Sequence, residues 1–355
     1  MASDRMMEYY YSMAQDSLGN NDLEEAVSYF RKAANLGAKE AAREIGVIGH
    51  RYETGKNAEK DEEKAVRCYQ MAGDYGEDEA WYYLGMLYFR GINGAKPNPR
   101  KAKRTLEKAA DAGVLDAILM LAKVYDEGLL GYVNYSLSFK YYLKAAEYGN
   151  SDAMLMTGLF YAQGDVVPKN LDEAEKWIRR GCELGNPDGE NTLRGFLSVA
   201  CIEYAAGASG RVDDKKAFEY AEEVEKMGED DIFLRLGKYY KNSRQPNHAE
   251  NAFRAFKKAA EKGIPEAQSA LGLCYEAAMG TEENIQEAVG LYKKAAMAGD
   301  PFGMAHYGYA LANGEGVKVN EKEAMEWLIK AAMKGDKGAV QILADDYNYN
   351  FDKKV

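Results

Sequence analysis

Residues Met304–Gly335 read MAHYGYALANGEGVKVNEKEAMEWLIKAAMKG. The stretch falls into two apolar halves around a polar, glycine-containing middle. In the second half Ala324, Leu328 and Ala331 stand eleven, seven and four residues before Gly335. Those offsets place all three on one face of a helix. Gly335 suits the left-handed residue that closes many helices, and a residue with a Cβ there is expected to cost about 1–2 kcal/mol. Asn320, four residues before Ala324, reads as the N-cap, because its side-chain oxygen accepts an orphan backbone N–H.

The pattern extends outward over the whole chain. Helix-ending glycines recur at Gly37, Gly76, Gly113, Gly149, Gly185, Gly228, Gly263, Gly299 and Gly335, between 35 and 43 residues apart. Before eight of the nine stand a small residue, a large one and another small one at the same three offsets, as in Ala26, Phe30 and Ala33 or Ala252, Phe256 and Ala259, and before Gly228 stand Ala217, Ala221 and Val224. Asp22, Asp61, Asn98, Asn134, Asn170, Asp213, His248, Asn284 and Asn320 occupy the N-cap position. Glu25, Glu173, Glu287 and Glu323 follow three residues later and predict capping boxes. Asn134 also heads an Asn-Tyr-Ser glycosylation sequon, for which the cap is the better explanation.

The first half of each unit predicts a second helix. It carries a large apolar residue, a small one and an aromatic, as in Leu84-Gly85…Tyr88, Leu236-Gly237…Tyr240 and Leu271-Gly272…Tyr275. Gly55, Gly91, Gly128, Gly164, Gly207 and Gly314 end it. The seven prolines fall between the helices or near a first turn, where proline is tolerated. The Leu343-Ala344…Tyr347 motif predicts a terminal capping helix, followed by a polar tail, Asn348–Val355.

The chain has 355 residues and a net charge of −11. The acidic balance argues against nucleic acid as partner, which needs a basic face, and against anionic lipid. No apolar run is long enough to span a bilayer, and the N-terminus lacks the apolar centre of a secretory signal. The expected location is therefore cytoplasmic, with a secreted or periplasmic one only if a signal peptide was removed. Four cysteines in four different units predict buried thiols and a reducing compartment. His50, His248 and His306 lie in different units, and no phosphate loop, nucleophile elbow or paired-histidine metal motif occurs. No cofactor or metal is expected. The basic run Lys96, Arg100, Lys101, Lys103 and Arg104 reads as a solvated helix face.

The repeated unit resembles the Sel-one-like repeat, a relative of the tetratricopeptide repeat with a longer loop between its helices. The resemblance covers essentially the whole chain; the first unit, Ala14–Gly37, has a short loop nearer the ordinary tetratricopeptide form. It implies an all-α, right-handed superhelical solenoid of nine helix-turn-helix repeats over residues 1–335, plus the capping helix and tail in 336–355. Stacking supplies what one hairpin lacks, a partner for its apolar face. One junction is irregular: from Gly185 to Ala200 is seven residues longer than the usual spacing. Either a first helix is extended across 186–199 or the stack is interrupted there. Some Sel-one-like proteins have been described as penicillin-binding or lactamase-like, but the serine–x–x–lysine element of those enzymes occurs nowhere in this chain.

What remains is surface. On the first helix of the third unit Ala80, Trp81, Leu84, Gly85 and Tyr88 form the core stripe, and Glu79, Tyr82, Met86, Phe89 and Arg90 lie opposite. Equivalent positions elsewhere include Tyr11, His50, Leu119, Lys123, Leu155, Leu159, Ile202, Lys238, Lys241, Leu273 and Tyr309. In tetratricopeptide-type solenoids the first helices line a concave face that holds ligands. By that analogy the chain is a monomeric, non-enzymatic scaffold or adaptor gripping a segment of another protein through Tyr82, Met86, Phe89, Arg90, Leu119, Lys123, Leu155, Leu159, Lys238, Lys241, Leu273 and Tyr309. Neighbouring first helices could equally bury this row against each other. Two other readings stand beside it. One is an enzyme with a carboxylate-based hydrolase site, which a His–carboxylate pair in the groove would mark. The other is a structural protein associating with itself through its ends.

Overall fold

The computed structural model describes residues 2–129, 131–208 and 210–347. The tail Asn348–Val355 lies outside them. The described residues form nineteen helices and no strand. Two compact units are present, residues 1–190 and 191–355. In the first, α1 (Ala2–Gly19), α2 (Leu23–Asn35), α3 (Lys39–Thr54), α4 (Glu62–Asp74), α5 (Asp78–Arg90), α6 (Pro99–Asp111), α7 (Leu115–Glu127), α8 (Tyr135–Glu147), α9 (Ser151–Gln163) and α10 (Leu171–Glu183) pair as hairpins. α11 (Gly189–Ala206) runs 18 residues where most helices run 13. The second unit continues with α12 (Asp214–Lys226), α13 (Ile232–Asn242), α14 (His248–Glu261), α15 (Pro265–Glu276), α16 (Ile285–Met297), α17 (Pro301–Asn313), α18 (Glu321–Met333) and α19 (Lys337–Tyr347). The chain is an all-α solenoid. No described helix is long and apolar enough to cross a membrane.

The three-residue face of each even-numbered helix is the core. Of its positions across nine units, only Tyr142 is half-buried; the rest are buried. All nine terminal glycines adopt positive φ. After eight of the nine the next residue returns its N–H to the carbonyl of the last core residue, as Ala38 does to Ala33 at 3.1 Å and Asp336 to Ala331 at 3.0 Å. This six-to-one bond satisfies a carbonyl that the helix end would leave bare.

The small residue of the odd-numbered helix has its own role. A Cβ built on Gly158 would lie 2.6 Å from Ile178, on Gly237 2.6 Å from Phe256, and on Gly272 2.7 Å from Tyr292. The glycine is the seat of the large core residue on the partner helix, and it sets the close approach within the hairpin. On α5, Leu87 is fully buried while Tyr88 is half-buried, so the core stripe expected there is corrected to include Leu87. The terminal helix α19 is packed through Ala339 and Leu343, both fully buried.

Eight of the nine N-caps form as expected, for example Asp61 Oδ1 accepting from Lys64 N–H at 2.9 Å and Asn134 Oδ1 from Leu137 N–H at 3.0 Å. His248 is the exception. It is the first residue of α14, after Asn247 at positive φ, and no side chain caps that helix. The capping boxes do not close, because the N–H they would satisfy is already engaged. The N-cap residue donates it to a carbonyl of the preceding helix: Asp22 to Ser17 at 2.9 Å, Asn170 to Tyr161 at 2.9 Å, Asn284 to Tyr275 at 3.0 Å and Asn320 to Leu311 at 2.9 Å. Glu25 accepts the Ser17 hydroxyl instead, and Glu323 accepts from the Asn320 side-chain amide.

One buried carboxylate ties two hairpins of the N-terminal unit together. Glu62 has a side chain only 6% exposed. It accepts from the Asn93 backbone N–H and from Arg90 at 3.0 Å, with Lys60 at 3.3 Å. The Asn93 bond, with Lys60 and Arg90, holds its carboxyl below the ordinary glutamate range. A lowered folded pKa means that Glu62 stabilises the fold fully above its ordinary pKa, and that the contribution is lost as pH falls through the folded value. Glu62→Gln is expected to cost about 1.5–2 kcal/mol at pH 7, the low end for hydrogen bonds to a charged group. Paired denaturant melts at pH 7 and pH 3 should show the gap between variant and parent shrinking at the lower pH; a constant gap would contradict the assignment.

Candidate functional site

The odd-numbered helices of the C-terminal unit carry two adjoining cavities. One, of about 360 Å³, is lined from α13 by Lys241, from α15 by Glu266, Ser269, Ala270 and Leu273, and from the following turns by Asp300, Pro301, Phe302, Lys334, Gly335 and Asp336. The other, of about 460 Å³, is lined by Glu276, Phe302, Ala305, His306, Tyr309, Asp336, Gly338 and Ile342. Phe302 and Asp336 border both, so the two form one groove over α15, α17 and α19. Its wall is aromatic: the His306 ring lies 4.1 Å from Phe302 and 4.7 Å from Tyr292, centroid to centroid. Phe302 and Tyr309 remain 37% and 38% exposed.

The polar groups of the groove are partly committed. Asp300 caps α17, accepting from Gly303 N–H at 2.8 Å and from the Ser269 hydroxyl at 2.6 Å. Asp336 caps α19 through Ala339 N–H at 2.8 Å. Lys238, on the rim, pairs with Glu266 at 2.7 Å. Glu276 accepts the Tyr292 hydroxyl and lies 3.5 Å from His306 Nδ1, both through Oε2. Burial holds the His306 imidazole below its ordinary value, against the pull of Glu276 and Asp336.

Of the twelve residues expected to bind a partner, Lys241, Leu273 and Tyr309 meet on this groove and Lys238 sits at its edge. The eight in the N-terminal unit are not gathered in the same way. Tyr82, Met86, Phe89, Leu119 and Leu159 are half-buried, with Tyr82 and Leu119 packed on the core. Lys123 is exposed and 3.6 Å from Glu127. Two are corrected. Leu155 is 6% exposed, and a Cβ on Gly181 would lie 2.7 Å from it, so it fills the space that Gly181 leaves in the hairpin. Arg90 pairs with Glu53 at 3.3 Å and with Glu62 at 3.0 Å, so its guanidinium joins repeats of the chain itself. Sequence reasoning passed over Phe302, His306 and Glu276. Phe302 lies a turn ahead of the apolar motif of α17, and the other two meet only because consecutive repeats stack.

The cysteines offer no reactive thiol among those that burial shifts furthest: Cys68 and Cys201 are pushed up to about 12 and Cys274 to about 11. Among the described residues no group of three or more His, Cys, Asp or Glu is placed to hold a metal ion.

Comparison with known proteins adds the following. The sequence profile of the Sel1 repeat matches nine segments: 8–37, 39–76, 79–114, 115–150, 151–186, 197–223, 234–264, 265–300 and 301–336. Among curated proteins the chain is similar to DAP3-binding cell death enhancer 1 of Mus musculus, 32% identical over 97 residues, which is 27% of this chain and 18% of that protein. It is also similar to chitin synthase regulatory factor 1 of Schizosaccharomyces pombe, 31% identical over 78 residues, 22% of this chain and 17% of that protein. The matched region is thus less than a fifth of either relative. Among solved structures, c5321, a protective antigen of uropathogenic Escherichia coli with an SLR fold, aligns at 26% identity over 97% of this chain and 81% of that one, with a TM-score of 0.45. A Sel1 repeat protein from Oxalobacter formigenes aligns at 23% identity over 96% and 85%, with a TM-score of 0.44. With nine matched repeats covering most of its length, the chain belongs to the Sel1 repeat family.

Proposed function

We propose that this chain is a non-enzymatic adaptor that grips a segment of another protein in the groove over α15, α17 and α19. Repeats of this family generally mediate contacts between proteins. One relative is named for binding DAP3 and the other as a regulatory factor for chitin synthase. The observation that carries the reading is the convergence of Lys241, Leu273, Phe302 and Tyr309 on adjoining cavities with open aromatic rings. An apolar centre with a charged rim is the anatomy of a recognition surface.

The His306–Glu276 pair is the feature that a hydrolase reading would need. Two observations favour a structural role for it. The serine of the groove, Ser269, lines the adjoining cavity and gives its hydroxyl to Asp300 at 2.6 Å, so it is not paired with the His306–Glu276 base as a nucleophile would be. The tyrosine–carboxylate bond also recurs with a tyrosine in place of His306: in the N-terminal unit the Tyr69 hydroxyl donates to Glu53 at 2.6 Å, the Tyr69 ring stacks on Tyr83 at 5.5 Å, and His50 approaches Glu53 at 3.8 Å from the same helix, α3. Glu53 and Tyr83 hold the repeat positions of Glu276 and His306.

The test is capture of partners by the full chain from its source cell, followed by affinity measurement with the captured protein. The double variant Leu273→Ala, Tyr309→Ala should bind about tenfold or more weakly, as for loss of central anchors. Val47→Ala, exposed on α3 and outside the groove lining, should bind as the parent does. Equal binding by all three would remove the groove as the site.

A further inference from the structure

The two units treat the same repeat position differently. In the N-terminal unit Glu53, which follows the aromatic of α3, receives the guanidinium of Arg90 from the end of α5, 3.3 Å away. Arg90 is the residue just before the glycine that ends its helix. In the C-terminal unit Glu276 follows the aromatic of α15, and its hydroxyl donor is again the large core tyrosine of the partner helix, Tyr292. The residue before the ending glycine of α17 is Asn313, whose amide donates to the Tyr309 carbonyl at 3.1 Å. Among the described residues no lysine or arginine pairs with Glu276; its ion-pair neighbour is His306. The second carboxylate that holds Arg90, Glu62, has Ile285 at its repeat position. The cation that the chain supplies to itself in one unit is absent from the other.

A cavity of about 460 Å³ stands at Glu276. Glu276 and Asp336 line it, together with the partly exposed Phe302 and Tyr309 and with Ile342. His306, kept low by burial, adds no positive charge to oppose a cation at neutral pH. Carboxylates beside open aromatic faces and an apolar floor suit a charged head on an aliphatic stem. A guanidinium is planar and stacks on rings while donating to a carboxylate.

We propose that this cavity seats an arginine or lysine side chain supplied by the bound protein segment, which pairs with Glu276 as Arg90 pairs with Glu53. The inference rests on the groove reading and names the chemistry of its occupant. It also explains why an acidic chain leaves an aromatic pocket open at this point: the missing cation arrives with the partner.

The test is a selection of random displayed dodecapeptides on the full chain. Enriched peptides should carry a basic residue. Replacing it by citrulline or norleucine in the synthetic peptide should weaken binding tenfold or more. Asn313→Arg should weaken the basic peptide to a similar extent, since the chain then fills its own seat. Asn313 is exposed, so that variant tests the seat without disturbing the core, whereas Glu276→Gln also touches the Tyr292 bond and is read only beside an unchanged melt. Peptides that lack a basic residue yet lose affinity in Leu273→Ala, Tyr309→Ala would overturn the inference and leave the groove reading standing. Peptides indifferent to those two substitutions, or no enriched peptide at all, would overturn both.

Discussion

Phe256→Ala is expected to destabilise the C-terminal unit by about 3–5 kcal/mol, the range for truncating a fully buried phenylalanine. Phe256 is 1% exposed. Its ring occupies the space left by the absent Cβ of Gly237, which would lie 2.6 Å from two ring carbons. Neighbours on both helices are fully buried, Leu236 on α13 and Ala252 and Ala259 on α14, so little backbone is free to collapse into the void. The loss should be felt first by the hairpin and its immediate neighbours, because each repeat contacts only those beside it. Urea unfolding followed by circular dichroism, with hydrogen exchange to localise the change, is the measurement. A loss below about 1 kcal/mol would show that the hairpin does not close on this residue.

The second large effect concerns packing between hairpins. Gly73 on α4 faces the indole of Trp81 on α5, and a Cβ there would lie 2.4 Å from the ring. Glycine in a helix interior ordinarily costs about 0.5–1 kcal/mol relative to alanine, so a substitution that ignored tertiary contact would be expected to help. Gly73→Val is instead expected to cost about 3 kcal/mol, the upper part of the overpacking range. Trp81 has little room to yield: it is buried at the repeat interface, with the Lys108 ammonium 3.6 Å from its ring centroid. The cost should fall sharply in a Trp81→Leu background, since neighbouring substitutions are not additive. Equal cost in both backgrounds would mean that the indole is not what the new side chain meets.

Much of this was legible in the chain. The period, the nine glycines at positive φ, eight of nine N-caps and the buried face of the even-numbered helices follow from residue type and spacing alone. His248 failed because the loop before α14 is shaped by Asn247 at positive φ, and an aromatic nitrogen in the N-cap register carries no information about that. The capping boxes failed for a tertiary reason: the backbone N–H in question bonds to the preceding helix. The burial of Leu155 and the ion pairs of Arg90 were not legible because helical offset separates the two sides of one helix but says nothing of the neighbour on the far side. For Leu155 that neighbour is the partner helix at Gly181, and for Arg90 it is a carboxylate on another repeat.

Sequence by itself determined the repeat, its family and the residues that close each hairpin. Those depend on local propensity and on pairs within about forty residues, and a pattern repeated nine times averages out its exceptions. Tertiary structure decided which side chains of different repeats meet at one surface. The groove joins Lys241, Leu273, Glu276, Phe302, His306 and Tyr309 from three successive repeats. The same first-helix positions are open at Tyr309 and half-buried at Tyr82 and Met86, and which of these holds depends on neighbours in other repeats. Periodicity describes what every repeat shares, and the groove exists where one repeat differs from the rest.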